Sequence, residues 1–423
     1  MKMMHKVGRW LALAIPLVIW GCSATENLSV EEAMKAYGND RLEIRPEFKI
    51  FHQSDDSTAF YVKFDTQDLT FRKTDGGKYR ANLKINLEID AEGETVNFSN
   101  QKREIAVPPI PRSAQGKSIL AKTIVALPSE ADYSVVLNIV DELSGKKFSK
   151  RLYVKKSNRQ NRLNFIARAE GSVAPLLTDR IAPNQTYEIT LRQGNYDKVY
   201  VNYYDRSFSL PAPPFAYFEP GPVEFEPDNF FSLPVENGVV RFTSDDEGFY
   251  HFRIDSNSTR GFTLFLSSEE FPEVKKVKNM LDPFRYLVSG KEYKSILDAS
   301  DRKAAIENFW IEWAGSKNRA RSAIQSYYSR VELANRFFSS HLEGWKSDRG
   351  LIFIVYGPPN KIYKTEATET WIYGEENNPM SITFKFQKFP SPFTDNDYRL
   401  RRQDYYKPGW YQRIEAWRNA RIY

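Results

Sequence analysis

Between residues 42 and 267, apolar side chains recur at every second position, in short runs separated by turn-type residues. Such alternation sends successive side chains to opposite faces, so this part of the chain is limited to half-buried strands paired into sheets. The runs at 42–51, 59–65, 79–89, 94–99, 118–127, 133–140 and 147–154 read as the strands of a first module. Hairpin-type turns fall at Thr74-Asp75-Gly76-Gly77 and over 141–145. A polar, basic linker at 155–162 precedes a second set at 187–192, 198–204, 239–243, 249–254 and 262–267. The aromatic content, 14%, is high and suits such packing.

Asp246-Glu247-Gly248-Phe249-Tyr250 places a tyrosine where many β-sandwiches bond its hydroxyl back to nearby backbone, and Tyr133 holds a similar place after 128–132. The expectation is therefore two tandem immunoglobulin-like sandwiches, over 42–155 and 163–270. Within the second, 210–234 is dense in proline and aromatic residues, which prevents central strands and favours extended backbone. Two readings stand side by side. Pro213, Pro214, Phe215, Tyr217 and Phe218 form a stiff ridge that contacts a partner, or the segment folds over the sandwich or the last domain with its rings buried.

The sole cysteine, Cys22, excludes an internal disulfide and a cysteine-rich metal site. Lys2, Lys6 and Arg9 precede an apolar run at 11–20, too short for a membrane span and suited to a signal-peptide core. Ile19-Trp20-Gly21-Cys22 resembles a bacterial lipobox, with Trp20 bulkier than the usual small residue. That resemblance makes 1–21 a lipoprotein signal peptide and Cys22 the lipid-bearing first residue of a 22–41 tether, with a helix-compatible patch at 30–37. Ser23, rather than aspartate, favours the outer membrane and, with only Glu26 as acidic charge before Leu28, its periplasmic side, with the cell surface as the alternative. Net charge is only +6, with three of the positive charges in the segment expected to be removed, so nucleic acid is not an expected partner.

From 271 to 423 the period mixes. A strand is expected at 285–288, a capping box at Ser289–Glu292 opens a helix to 297, and helices follow after Asp301 and over 320–341. The run 351–356 reads as a strand between Gly350 and Gly357, and strands follow at 370–373 and 381–389. Pro408 opens a last helix that aligns Trp410, Ile414 and Trp417. An α+β domain with a small antiparallel sheet is expected.

Gly344-Trp345-Lys346-Ser347-Asp348-Arg349-Gly350, followed by Tyr356-Gly357-Pro358-Pro359-Asn360, resembles the GWxTD domain of Bacteroidota-type bacterial envelope proteins, with Ser347 in place of threonine. The resemblance covers the last third of the chain closely and implies an envelope lipoprotein. The residues themselves show no HExxH, GxSxG, P-loop or dinucleotide fingerprint, and His5, His52, His251 and His341 are scattered, so no cofactor or metal is expected. His52 and His251 read as surface or cross-strand residues, and His341 as a helix-end residue favoured by the helix dipole. In the motif, Asp348 either fixes the loop by accepting backbone N–H groups while Arg349 pairs a carboxylate and Trp345 plugs the core, or forms an acid/base pair with Glu343. The leading reading is a non-enzymatic lipoprotein that scaffolds or binds an outer-membrane partner. Its alternatives are a glycan- or peptidoglycan-acting hydrolase using Asp348, and a sugar-binding module using Trp345, Trp371 or Trp410.

Overall fold

The computed structural model describes residues 46–92, 101–217, 225–268 and 270–421, together with the backbone of a short strand, Glu26–Leu28. Most of it is β-sheet in several small sheets, and a C-terminal region adds six α-helices among the described residues. No helix among these residues is long and apolar enough to cross a membrane. Cys22, the 30–37 patch, the run 94–99 and Phe218 lie outside the described residues.

In the first module, Leu83–Glu92 pairs with Gln101–Ile105 on one side and Asp132–Asp141 on the other, and Lys147–Val154 completes an antiparallel sheet. Ser57–Asp65 is central to a second sheet, between Glu47–His52 and Ser118–Ala126. Alternate residues from the two, Ile85, Leu87 and Ile89 against Phe60, Val62 and Phe64, share one core. Each such side chain contributes about 1.5–3 kcal/mol by leaving water. The expected strand 79–89 breaks at Asn82, whose carbonyl accepts the Glu142 amide. Tyr79–Ala81 turns instead into a small sheet with Arg72–Lys73 and Ile110–Pro111.

The second module repeats the plan. Phe165–Ala169, Tyr187–Leu191 and Val239–Phe242 form one sheet. The other runs Arg180–Ile181, Phe262–Leu266, Gly248–Arg253, Lys198–Tyr204 and Asn229–Pro234 in spatial order. Asn229–Pro234 is an edge strand, where a proline breaks no interior ladder. Tyr250 donates its hydroxyl to the Asp246 carbonyl at 3.0 Å, and Tyr133 donates to the Pro128 carbonyl at 2.8 Å. His52 and His251 are buried cross-strand partners of Thr58 and Thr263, and burial first of all holds both pKa values down to about 3. The two modules are tied by buried Arg192, which reaches Asp55 at 2.5 Å, Ser129 and Asn164, and by Lys49 to Asp179 at 2.6 Å.

The C-terminal region contains α1 (Val277–Phe284), α2 (Gly290–Leu297), α3 (Arg302–Ala314), α4 (Lys317–Phe338), α5 (Asp348–Tyr356) and α6 (Tyr406–Arg418). The Ser289–Glu292 capping box forms, Asp301 caps α3, and Gly315 ends it in the left-handed region. Two expected strands are absent. Residues 285–288 are turns closing α1, with the Arg285, Tyr286 and Leu287 amides bonding back three residues. Residues 351–356 belong to α5. Every residue of α5 from Arg349 to Tyr356 is buried, so neither period shows in the sequence, and a short apolar run fits a strand or a wholly enclosed helix equally.

An antiparallel sheet packs its inner face on these helices. Its order is Glu26–Leu28, Lys361–Lys364, Thr368–Tyr373, Ile382–Lys388 and Tyr398–Leu400. Ile362, Trp371, Phe384 and Phe386 point inward. The edge strand comes from the segment read as a tether, so Glu26–Leu28 is part of the C-terminal sheet.

Candidate functional site

The motif between α4 and α5 is a point of close backbone approach. A Cβ on Gly344 would lie 1.9 Å from the Ala334 carbonyl oxygen in α4, and one on Gly350 would lie 1.9 Å from the Gly344 carbonyl oxygen. Only glycine permits α4, the motif and the first turn of α5 to stack so tightly. Side chains then complete the backbone bonding. Asn335 of α4 accepts from the Trp345 amide at 3.2 Å and donates to the Pro272 carbonyl at 3.1 Å. Ser339 donates to the Asn335 carbonyl and accepts from the Gly344 amide. Trp345 is buried in the helical core; its indole donates to Glu343, and its carbonyl accepts from the Tyr286 hydroxyl at 2.7 Å. Burial, then the Asp348 and Glu343 carboxylates, push that phenol well above its usual range, so it remains a donor.

Ser347 is the N-cap of α5. Its hydroxyl accepts from the Gly350 amide at 3.0 Å and donates to the Gly344 carbonyl at 2.7 Å. Ser347→Ala is expected to cost ~1 kcal/mol of stability by urea unfolding, whereas Ser347→Thr, which keeps the hydroxyl, is expected to retain most of it.

The two charged motif residues diverge. Arg349 points into the core, 3.0 Å from Glu369, and its other arm reaches the Asn396 side chain at 2.5 Å. Glu369 also accepts from the Trp371 indole at 2.8 Å. Asn396 donates to the Phe337 and Ser339 carbonyls, which stops α4 three residues short of the expected 341. Asp348 accepts from the Leu400 amide at 2.7 Å and from both arms of Arg402 at 2.6 and 3.1 Å. The amide it holds therefore belongs to a neighbouring strand, not to its own loop. Arg402 passes the link on to the Ala212 carbonyl at 3.1 Å, in the proline-rich segment.

At the far end of α5, Tyr356 is buried and Gly357 turns the chain at φ +84°. Arg330, Trp417 and Tyr373 donate to the Ile354, Val355 and Gly357 carbonyls, and Pro358 and buried Pro359 lead into Lys361–Lys364. A family model for the GWxTD domain matches residues 248–419. The chain carries a GWxTD domain. No curated protein matches the chain. The match begins at Gly248, inside the second module and ahead of the 271 boundary read from the sequence.

The residues expected to contact a partner are divided by the GWxTD domain. Pro214 is buried and its carbonyl accepts the Gln403 amide, while Phe215 is half-buried against Tyr411 at 5.6 Å. Pro213 is exposed and Tyr217 is 90% exposed. Burial of Pro214 and half-burial of Phe215 agree with the expectation that the segment folds over the last domain, while Pro213 and Tyr217 stay exposed. Glu343 and Asp348, the acid/base pair considered above, each bond elsewhere, Glu343 to the Trp345 indole and Lys346 and Asp348 to Arg402. Trp345, Trp371 and Trp410 are buried and present no stacking platform. Arg399 lies over the Phe389 ring, 3.5 Å from its centroid, and pairs with Asp397. A small hollow lined by Met280, Lys303, Ile306, Glu307 and Ile324 lies apart from the motif. Among the described residues, no cluster of His, Cys, Asp or Glu could hold a metal.

His341 corrects its expected role. It lies beyond the end of α4 and is packed among Phe208, Phe225 and Phe393, where the GWxTD helices meet the second module. Burial, with Arg399 adding repulsion, holds its pKa down to about 4. The unfolded imidazole titrates near 6.5, so between these values the unfolded chain binds more protons and stability falls as pH falls. Lowering pH from 7 to 4 is expected to remove up to ~3 kcal/mol at this position, and His341→Phe is expected to flatten that part of the stability–pH curve.

Proposed function

We propose that the protein is a non-enzymatic, lipid-anchored outer-membrane protein in which two immunoglobulin-like modules and the GWxTD domain form a binding or scaffold subunit of an envelope protein complex. The observation that carries this reading is the inward use of the motif: Ser347, Asp348 and Arg349 each bond to backbone or side chains of the same chain. Such residues set a rigid shape rather than meet a substrate. Two facing sheets around one core and a tyrosine bonded back near the start of a strand support the immunoglobulin-like assignment of each module. The lipobox resemblance at Cys22, followed by Ser23, supports the anchor and its periplasm-facing placement. Tyr217, 90% exposed on a proline-stiffened segment whose Phe215 packs on Tyr411, has the makeup of an interface hot spot.

The test is extraction of the protein from its native membrane in mild detergent, affinity capture and mass spectrometry. A stoichiometric outer-membrane component that is lost with Tyr217→Ser supports the reading. A chain that comes out alone, and whose Asp348→Asn variant keeps its stability but loses a glycan-hydrolysing activity, defeats it in favour of a hydrolase.

A further inference from the structure

We infer that the GWxTD domain lies on the membrane, with the outward face of its sheet, around Lys385, Gln387 and Arg401, against lipid headgroups, while the β-modules project away from it. This rests on the lipid anchor at Cys22 proposed above. The edge strand supplies the geometry. Glu26 pairs with Lys364, Asn27 with Tyr363 and Leu28 with Ile362, antiparallel. Chain direction therefore carries the residues before Glu26 past the Lys364 end of the sheet. Three residues separate Cys22 from Glu26, and the four Cα–Cα steps span at most ~14 Å, so acyl chains on Cys22 fix a bilayer close to that corner.

The chemistry selects the face. Phe384 and Phe386 point to the helices, and the alternate residues of the same strand, Lys385 and Gln387, are exposed. Among the described residues Lys385 and Arg401 make no ion pair, and the Arg401 amide bonds to the Lys385 carbonyl, which places the two cations side by side. Paired cations of this kind are drawn to an anionic headgroup surface. Tyr405, 57% exposed, bonds the Thr383 carbonyl of the same strand and adds an aromatic ring of the type that settles at headgroup depth. The first module is elongated along its strands. Its linker end touches the GWxTD domain through Lys155 and Glu366 at 2.9 Å, and the ten-residue strand Asp132–Asp141 carries Glu142 roughly 30 Å from that end.

The experiment uses the full chain in its native lipidated form, with a fluorophore on Lys385→Cys or, separately, on Glu142→Cys. Each is first partitioned in phase-separating detergent and then reconstituted in vesicles of phosphatidylethanolamine and phosphatidylglycerol carrying a headgroup acceptor dye. Energy transfer is expected to be severalfold higher from position 385 than from 142. Leu28→Pro, which breaks the edge pairing without touching the anchor, is expected to bring the two values together. Detergent-phase protein with equal or reversed transfer overturns the orientation and leaves the anchor standing. Protein that stays in the aqueous phase overturns the anchor, and the orientation with it.

Discussion

A Gly344→Ala chain is expected to lose about 3 kcal/mol or more of stability in its GWxTD domain, because the added methyl meets the Ala334 carbonyl and Asn335 Cα, which belong to the backbone of a 22-residue helix. Side chains yield by changing rotamer; a helix backbone yields only by moving the whole element. Such a movement would separate Ser347 from Gly350 and Asn335 from Trp345, so the loss extends beyond one contact. The readout is specific. Every tryptophan after Cys22, namely Trp310, Trp313, Trp345, Trp371, Trp410 and Trp417, lies in the GWxTD domain, so indole fluorescence during urea unfolding follows that domain alone. Gly290→Ala, in the same domain, where a Cβ meets only the Arg285 side chain at 3.7 Å, is the matched control and is expected to stay within about 0.5 kcal/mol of the parent. Equal midpoints for the two variants would remove close packing as the reason for the glycine.

The second large effect concerns the buried charges. Glu369 is fully buried and Arg349 is 2% exposed. Glu369→Ala leaves a guanidinium inside the core and an indole N–H without its acceptor, and is expected to cost about 3–5 kcal/mol. Lys364, 3.3 Å from the same carboxylate but partly exposed, can turn to solvent and is not stranded in the same way. Replacing both partners, Arg349→Leu with Glu369→Leu, is expected to recover part of the loss, since neither charge is then left alone. A double variant no more stable than Glu369→Ala would mean that the Arg349–Asn396 link to the end of α4 matters more than the pair itself.

What the sequence made legible follows from how locally each feature is encoded. The period-two runs located strands whose burial alternates, such as Leu83–Glu92, Asp132–Asp141 and Tyr187–Leu191, but not Gln101–Ile105, Phe165–Ala169 or Asn229–Pro234. The tyrosines at 133 and 250 were legible because their hydroxyls bond only four or five residues back. Ser289, Asp301 and Gly315 marked helix ends for the same reason. The failures are non-local. The helix Asp348–Tyr356 was hidden by burial on all sides, and the partners of its two charged residues, Glu369, Asn396 and Arg402, stand 20, 47 and 54 positions away with no spacing to betray them. Trp371, two residues after Glu369 and bonded to it, was the nearest available signal that this carboxylate faces inward. His341 was misplaced because its cage is built by rings from three distant segments.

That cage bears on where the chain can be divided. Phe393 arrives from beyond the motif and packs edge-on against Tyr204 and Phe249 on the outer surface of the second module, with Phe265 in the same cluster. The stretch matched as a family begins with Gly248–Arg253, a strand whose neighbour Lys198–Tyr204 lies upstream of the match. Cut at that point, the polypeptide would expose an open ladder along one side of the strand and part of an aromatic seam. The matched segment of this chain thus opens on an unfinished sheet, and its first strand is completed only by Lys198–Tyr204 from outside the match.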